Sequence, residues 1–215
     1  MLKEDEMSLL KSLKTKYADF SVDIQKTLID LTFRTYGFYG FDKLYGGSGD
    51  DIMKTIGAMQ NFGASIEFKN SFNCSIKGVG LGGLLEPKSA LDFGNSGTAA
   101  RLIMGLSASH SITTLYVGDS SLSIRPMDRV LKPLINFGSN YSLRKDNYLP
   151  AILKGSDNPI PFSFDLEEPS AQIKSAVLLG ALNTPGITTV KDKFNTRDHT
   201  CLLYTSPSPR DRTRS

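Results

Sequence analysis

The chain has 215 residues, 25 Lys and Arg against 22 Asp and Glu, and two cysteines. Thr205 to Ser215 carries +2 of the formal +3 charge, so the remainder is nearly neutral and lacks the clustered basic face that a nucleic-acid partner requires. Cys74 and Cys201 form neither a metal quartet nor a disulfide framework, Met1 to Glu6 is too acidic to open a signal peptide, and no apolar run reaches the ~18 residues that span a bilayer, so a cytoplasmic protein with no nucleic-acid or membrane partner is expected.

Periodicity becomes legible from residue 51. Asp51 to Asn61 is apolar at Ile52, Ile56 and Met59, a helical spacing, and Gly63 follows as a left-handed cap. Ser65 to Phe68 and Cys74 to Lys77 alternate as strands. Gly94-Asn95-Ser96-Gly97-Thr98 then forms a tight turn leading into a helix over Ala99 to Leu106. Ile112 to Val117 reads as a buried strand, and Ser109-His110-Ser111 before it as an exposed turn. Asp128 to Asn136 reads as a helix that kinks or restarts at Pro133, capped by Gly138. Strands over Asn140 to Leu143 and Ala151 to Lys154, an apolar helix over Ala171 to Leu182 and a buried strand over Ile187 to Val190 complete the order.

This order repeats. A 75-residue shift lays Asn61-Phe62-Gly63 on Asn136-Phe137-Gly138, Ile52, Ile56 and Met59 on Met127, Leu131 and Leu134, Gly105 on Gly180, and Ile112-Thr113-Thr114-Leu115 on Ile187-Thr188-Thr189-Val190. Two separate blocks sharing one offset imply two copies of one unit, about residues 50–119 and 126–195. The expected fold class is α+β in α/β layers, with sheet on one side and helices on the other.

Three segments carry candidate chemistry. The turn Asn95 to Thr98 opens a helix whose first N–H groups have no intrahelical partner and whose dipole favours an anion; it reads equally as an ordinary strand-to-helix turn. The repeat lays it on Ser170-Ala171-Gln172, at the start of the second apolar helix, so two helix N-termini can converge on one ligand. Ser170 after Pro169 is either a helix cap worth about 1 kcal/mol or a ligand contact, and Gln172 and Lys174 can reach a ligand's oxygens. Arg125, held extended by Pro126, is either a bidentate fork for a carboxylate or phosphate or a solvated arginine paired with Asp119 or Asp128.

The runs GNSGTAARLIMGL, GDSSLSIRPMDRVLKPL, SAQIKSAVLLGALNTPGITTV and TRDHT, in this order, closely resemble the 5-enolpyruvylshikimate-3-phosphate synthases, also called 3-phosphoshikimate 1-carboxyvinyltransferases, from about Asp51 to Thr200. The resemblance implies transfer of the enolpyruvyl group of phosphoenolpyruvate to the 5-hydroxyl of shikimate 3-phosphate, in aromatic amino acid biosynthesis, with no metal or organic cofactor. It implies repeated sheet-and-helix units of the enolpyruvyl transferase type, at least two of them here, in an enzyme that is monomeric at full length. Carried over by position, Gly97 lies at the phosphoenolpyruvate site, with Asn95 and Thr98 shaping its loop and Arg125 gripping the same substrate. Ser170 and Ala171 touch shikimate 3-phosphate, Gln172 lies between both substrates, and Arg197 serves shikimate 3-phosphate.

Residues 49–203 are expected to be the transferase domain, residues 1–48 a frameshifted or otherwise unmatched segment, and residues 204–215 a disordered or foreign tail. The family's opening Lys-Ser motif has no match here, and its acid and base residues are expected in a half that this chain lacks, so the fragment is expected to be inactive alone. The enolpyruvyl transferase of UDP-N-acetylglucosamine shares the fold, but its cysteine-bearing loop has no counterpart here. The non-enzyme alternative is a non-catalytic module that binds a phosphorylated metabolite.

Overall fold

A computed structural model describes residues 48–70, 73–80 and 82–196. The expectations for residues 1–47, for Arg197 and for the tail from residue 204 lie outside the described residues. One order of elements runs twice through the rest. The first run is α1 (Ser48–Asn61), β1 (Ser65–Asn70), β2 (Asn73–Lys77), β3 (Leu91–Asp92), α2 (Gly97–Ala108) and β4 (Thr113–Val117). The second is α3 (Asp128–Leu134), β5 (Asn140–Arg144), β6 (Tyr148–Lys154), β7 (Ser163–Asp165), α4 (Ala171–Ala181) and β8 (Thr189–Lys191).

Pairing repeats as well. β1 with β2 and β5 with β6 are antiparallel, whereas β3 with β4 and β7 with β8 are parallel. β4 also pairs antiparallel with β6, so the order β3-β4-β6-β5 joins the end of the first run to the hairpin of the second. Along β4 and β6 the side chains alternate: Thr114, Tyr116, Leu149, Ala151 and Leu153 are buried, while Leu115 and Ile152 sit opposite each other on the exposed face.

The buried face meets the helices. The two Phe residues of the repeated Asn-Phe-Gly, Phe62 and Phe137, have no exposed surface, and Gly63 and Gly138 both take positive φ, at +99° and +92°. Ile56, Met59, Met127, Leu131 and Leu134 are all buried, as the helical spacing requires. Pro133 ends regular α-helix one residue later, and a 3-10 turn over Ile135–Phe137 completes the element.

α2 and α4 cross in backbone contact at the two glycines that the repeat superposes. A Cβ on Gly105 would overlap the Ala176 carbonyl, and one on Gly180 would fall 2.6 Å from Phe137 Cε2 and 3.0 Å from Gly105 O. The apolar character of both helices is therefore used against each other as well as against the sheet.

Two expectations are corrected. His110 is buried, because the turn after α2 tucks under Gly155 and the ring Nδ1 bonds the Leu106 carbonyl at 2.9 Å. The strand expected over Ile187 to Val190 is shorter and half-exposed, and Ile187 is 85% exposed: it follows Gly186 ahead of β8, whose described pairing is on one side only.

Candidate functional site

The turn before α2 is anchored from below by Phe93, which stacks on Tyr116 of β4 with ring centroids 5.7 Å apart. Gly94 takes φ +53°; its N–H bonds Asp92 Oδ1 at 2.9 Å and its carbonyl accepts from Asp119 N at 2.8 Å, tying the turn to the loop after β4. The Lys54 ammonium pairs with Asp92 and holds that carboxyl below the usual range, with the Gly94 N–H adding to the effect. Two amides of the turn are bonded within it. Ser96 N donates to Phe93 O at 2.8 Å and Gly97 N to Asn95 O at 3.0 Å.

The helix termini differ in one respect. At α4 the Ser170 hydroxyl accepts from Ile173 N at 3.3 Å, an ordinary N-cap. At α2 no side chain caps the helix, and the buried Ser96 hydroxyl has no partner among the described residues. With Gly97 N on Asn95 O and Ala100 N on Ser96 O, the Thr98 and Ala99 N–H groups of the first turn are left for another acceptor.

The two termini meet. Gln172 Nε2 donates to Thr98 Oγ1 at 2.8 Å, and Arg101 Nη1 donates to Gln172 Oε1 at 2.5 Å. Arg101 sits one turn into α2, and helical side chains lean toward the N-terminus, so its guanidinium returns to the start of its own helix. Its other arm reaches the Pro126 carbonyl at 3.1 Å.

Arg125 leaves the 3-10 turn Leu122–Ile124 at φ −88°, ψ 133°, the extended backbone that Pro126 demands. Its Nη2 bonds the Ser121 hydroxyl at 3.1 Å. Neither carboxylate offered as its partner takes it: Asp119 accepts from Leu122 N, and Asp128 pairs with Lys132 at 2.7 Å. Built on Gly97, a Cβ would lie 3.3 Å from Arg125 Nη1 and 3.8 Å from Arg101 Nη1, so both guanidiniums flank the uncapped start of α2. Arg101 is held below the usual guanidinium range, first by burial and then by repulsion from Arg129 and Arg125. Glu168 is engaged by Arg129 at 2.6 Å.

The structure therefore brings together Gly97, Thr98, Arg125 and Gln172, with Ala171 and Ser170 on the same terminus and Asn95 exposed on the turn. Lys174 turns elsewhere: it is buried against Asp192 at 3.0 Å and the Thr196 carbonyl at 3.2 Å. Arg101 was not among the residues singled out from sequence. The signal was its place as the single charged residue of α2.

Residues 48–204 match the family described as EPSP synthase (3-phosphoshikimate 1-carboxyvinyltransferase). The chain belongs to the EPSP synthase family. Two relatives named 3-phosphoshikimate 1-carboxyvinyltransferase agree with this. One, from Parvibaculum lavamentivorans, is 49% identical over 152 residues, covering 71% of this chain and 34% of its own length. The other, from Novosphingobium aromaticivorans, is 50% identical over 151 residues, covering 70% and 34%. The EPSP synthase of Acinetobacter baumannii superposes with a TM-score of 0.66 at 38% identity, over 70% of this chain and 34% of that one. The chain thus spans about a third of the length of the relatives it matches.

Proposed function

We propose that Asn95, Gly97, Thr98, Arg125, Ser170, Ala171 and Gln172, together with Arg197, form one wall of a site where the enolpyruvyl group of phosphoenolpyruvate passes to the 5-hydroxyl of shikimate 3-phosphate, giving 5-enolpyruvylshikimate 3-phosphate and phosphate. The observation that carries this reading is the positive charge gathered at the start of α2. Two guanidiniums, Arg101 and Arg125, flank an uncapped helix N-terminus, and among the described residues neither pairs with a carboxylate. Like charges beside the positive end of a dipole repel one another, and an anion relieves the whole arrangement.

In this reading the Arg125 fork and the first-turn N–H groups behind Gly97 hold phosphoenolpyruvate, whose carboxylate and phosphate both suit them. The Ser170–Gln172 terminus holds shikimate 3-phosphate, and the Gln172 amide lies between the two. The wall's work is to set the 5-hydroxyl against the enolpyruvyl carbon and to keep two mutually repelling anions together, which charged hydrogen bonds of about 1.5–3 kcal/mol each can do. Residues 49–203 are the transferase domain of this reading, with units of about 50–119 and 126–195, supported by the doubled order of elements. A cytoplasmic location and a monomeric full-length enzyme working without a cofactor belong to the same reading and rest on the family resemblance.

Calorimetric titration of the 215-residue chain with shikimate 3-phosphate, then with phosphoenolpyruvate, tests it. Saturable one-to-one binding that weakens with added salt is expected. Absence of saturable heat with both compounds overturns it.

A further inference from the structure

We propose that Arg101 is a positioning residue that fixes which way the Gln172 amide faces, and so makes this wall present a hydrogen-bond donor to the ligand. The ligand's identity rests on the reading above; the positioning rests on geometry alone.

A guanidinium carries donors only, so the atom of Gln172 facing Arg101 Nη1 at 2.5 Å is the amide oxygen. The amide nitrogen is thereby turned to Thr98 Oγ1 at 2.8 Å, and the Thr98 hydroxyl is made to accept. That uses one of the two amide hydrogens. The other has no hydrogen-bond partner among the described residues, and the side chain is half-buried, so a donor of defined direction is left at the meeting point of the two helix N-termini.

Arg101 is itself fixed by its second arm on the Pro126 carbonyl, next to Arg125. One side chain therefore ties α2, α4 and the arginine loop. Without it nothing in the geometry opposes a flip in which Thr98 donates to the amide oxygen or the nitrogen swings free. A flipped amide turns lone pairs toward the ligand side, where an anion's oxygens are repelled. Lysine keeps the charge but has no planar fork to bridge Gln172 and Pro126 at once.

The test compares the 15N-labelled 215-residue chain with Arg101→Lys and Arg101→Met, the Gln172 side-chain NH2 being assigned through Gln172→Glu. The heteronuclear NOE of that NH2 is measured without ligand, and affinity for shikimate 3-phosphate is measured by titration. In the parent chain the NH2 is expected to be as ordered as the backbone, and in both variants to lose that order. Arg101→Lys is expected to bind shikimate 3-phosphate about tenfold more weakly with its unfolding temperature retained. An amide equally ordered in parent and variants, or undiminished affinity in Arg101→Lys, overturns the proposal. If the parent chain binds no shikimate 3-phosphate while the amide still loses order in the variants, the positioning stands and the functional reading falls. Should the Arg101 variants fail to fold, Thr98→Val reads the same point. The amide stays ordered there if Arg101 holds its oxygen, and disorder overturns the proposal.

Discussion

Gly97 is where a single methyl group decides most. It has no side chain, and the space a Cβ would fill is bounded by Arg125 Nη1 at 3.3 Å and Leu122 Cδ1 at 3.4 Å. Arg125 is the softer neighbour, because Leu122 is fully buried. Gly97→Ala is therefore expected to displace the Arg125 guanidinium by a few tenths of an ångström and weaken phosphoenolpyruvate more than shikimate 3-phosphate; paired titrations check this, and equal losses count against it. His110 makes a second prediction. Burial pushes its pKa below the ordinary 6.5, with the bond to Leu106 O opposing only in part. The unfolded chain then takes up the proton first as pH falls, so the stability this group contributes is complete above pH about 6.5 and is lost as pH drops through the lower folded value. Urea unfolding at pH 7.5 and pH 5 should show a decline that is smaller in His110→Gln; an equal decline in both would contradict the assignment. The burial of His110 was not legible in Ser109-His110-Ser111, a polar tripeptide whose first two residues are buried where Gly155, just after β6 of the second run, packs on them.

At the scale of elements, the crossing of α2 and α4 sets the spacing of the two N-termini. Gly105→Ala forces the new methyl into the Ala176 carbonyl, and backbone cannot yield as a side-chain tip does. A loss of about 1–3 kcal/mol is expected in urea unfolding, nearer the upper end, with weaker ligand binding because Gln172 moves away from Thr98. An unchanged midpoint would show that the helices do not meet there. These glycines were legible from sequence because the repeat superposes them, and Gly63 and Gly138 were legible from the same offset. β3 and β7 were not: two and three residues are too short for period-two alternation to register. The bond between Arg101 and Gln172 was hidden for another reason. It spans 71 residues, and a polar pair at that separation leaves no periodic trace.

Across the whole molecule, the strand pairing explains why a repeat produces a site. Each run places a short strand parallel to its last strand, with a helix between them. The β4–β6 pairing joins the last strands of the first run to the hairpin of the second in one four-stranded sheet, and α2 and α4 pack side by side. Side-by-side helices of equivalent origin present their N-termini to one region, and that is where Thr98, Arg101 and Gln172 are bonded together. The doubled order of helices and longer strands was readable in the sequence, whereas the strand pairing and the asymmetry between the termini were not. Ser170 caps α4 and Ser96 leaves α2 open, although both are serines at the same helical position.

The central claim is that the two N-termini form one site, so that a ligand held at the α4 terminus is also felt at α2 through the bond from Gln172 to Thr98. Backbone amide shifts of the 15N-labelled chain during titration with shikimate 3-phosphate test it most directly. Gly97 and Thr98 of α2 are expected to shift together with Ala171 and Gln172 of α4 along one saturation curve. Shifts confined to one helix, or two curves of different affinity, would contradict a shared site.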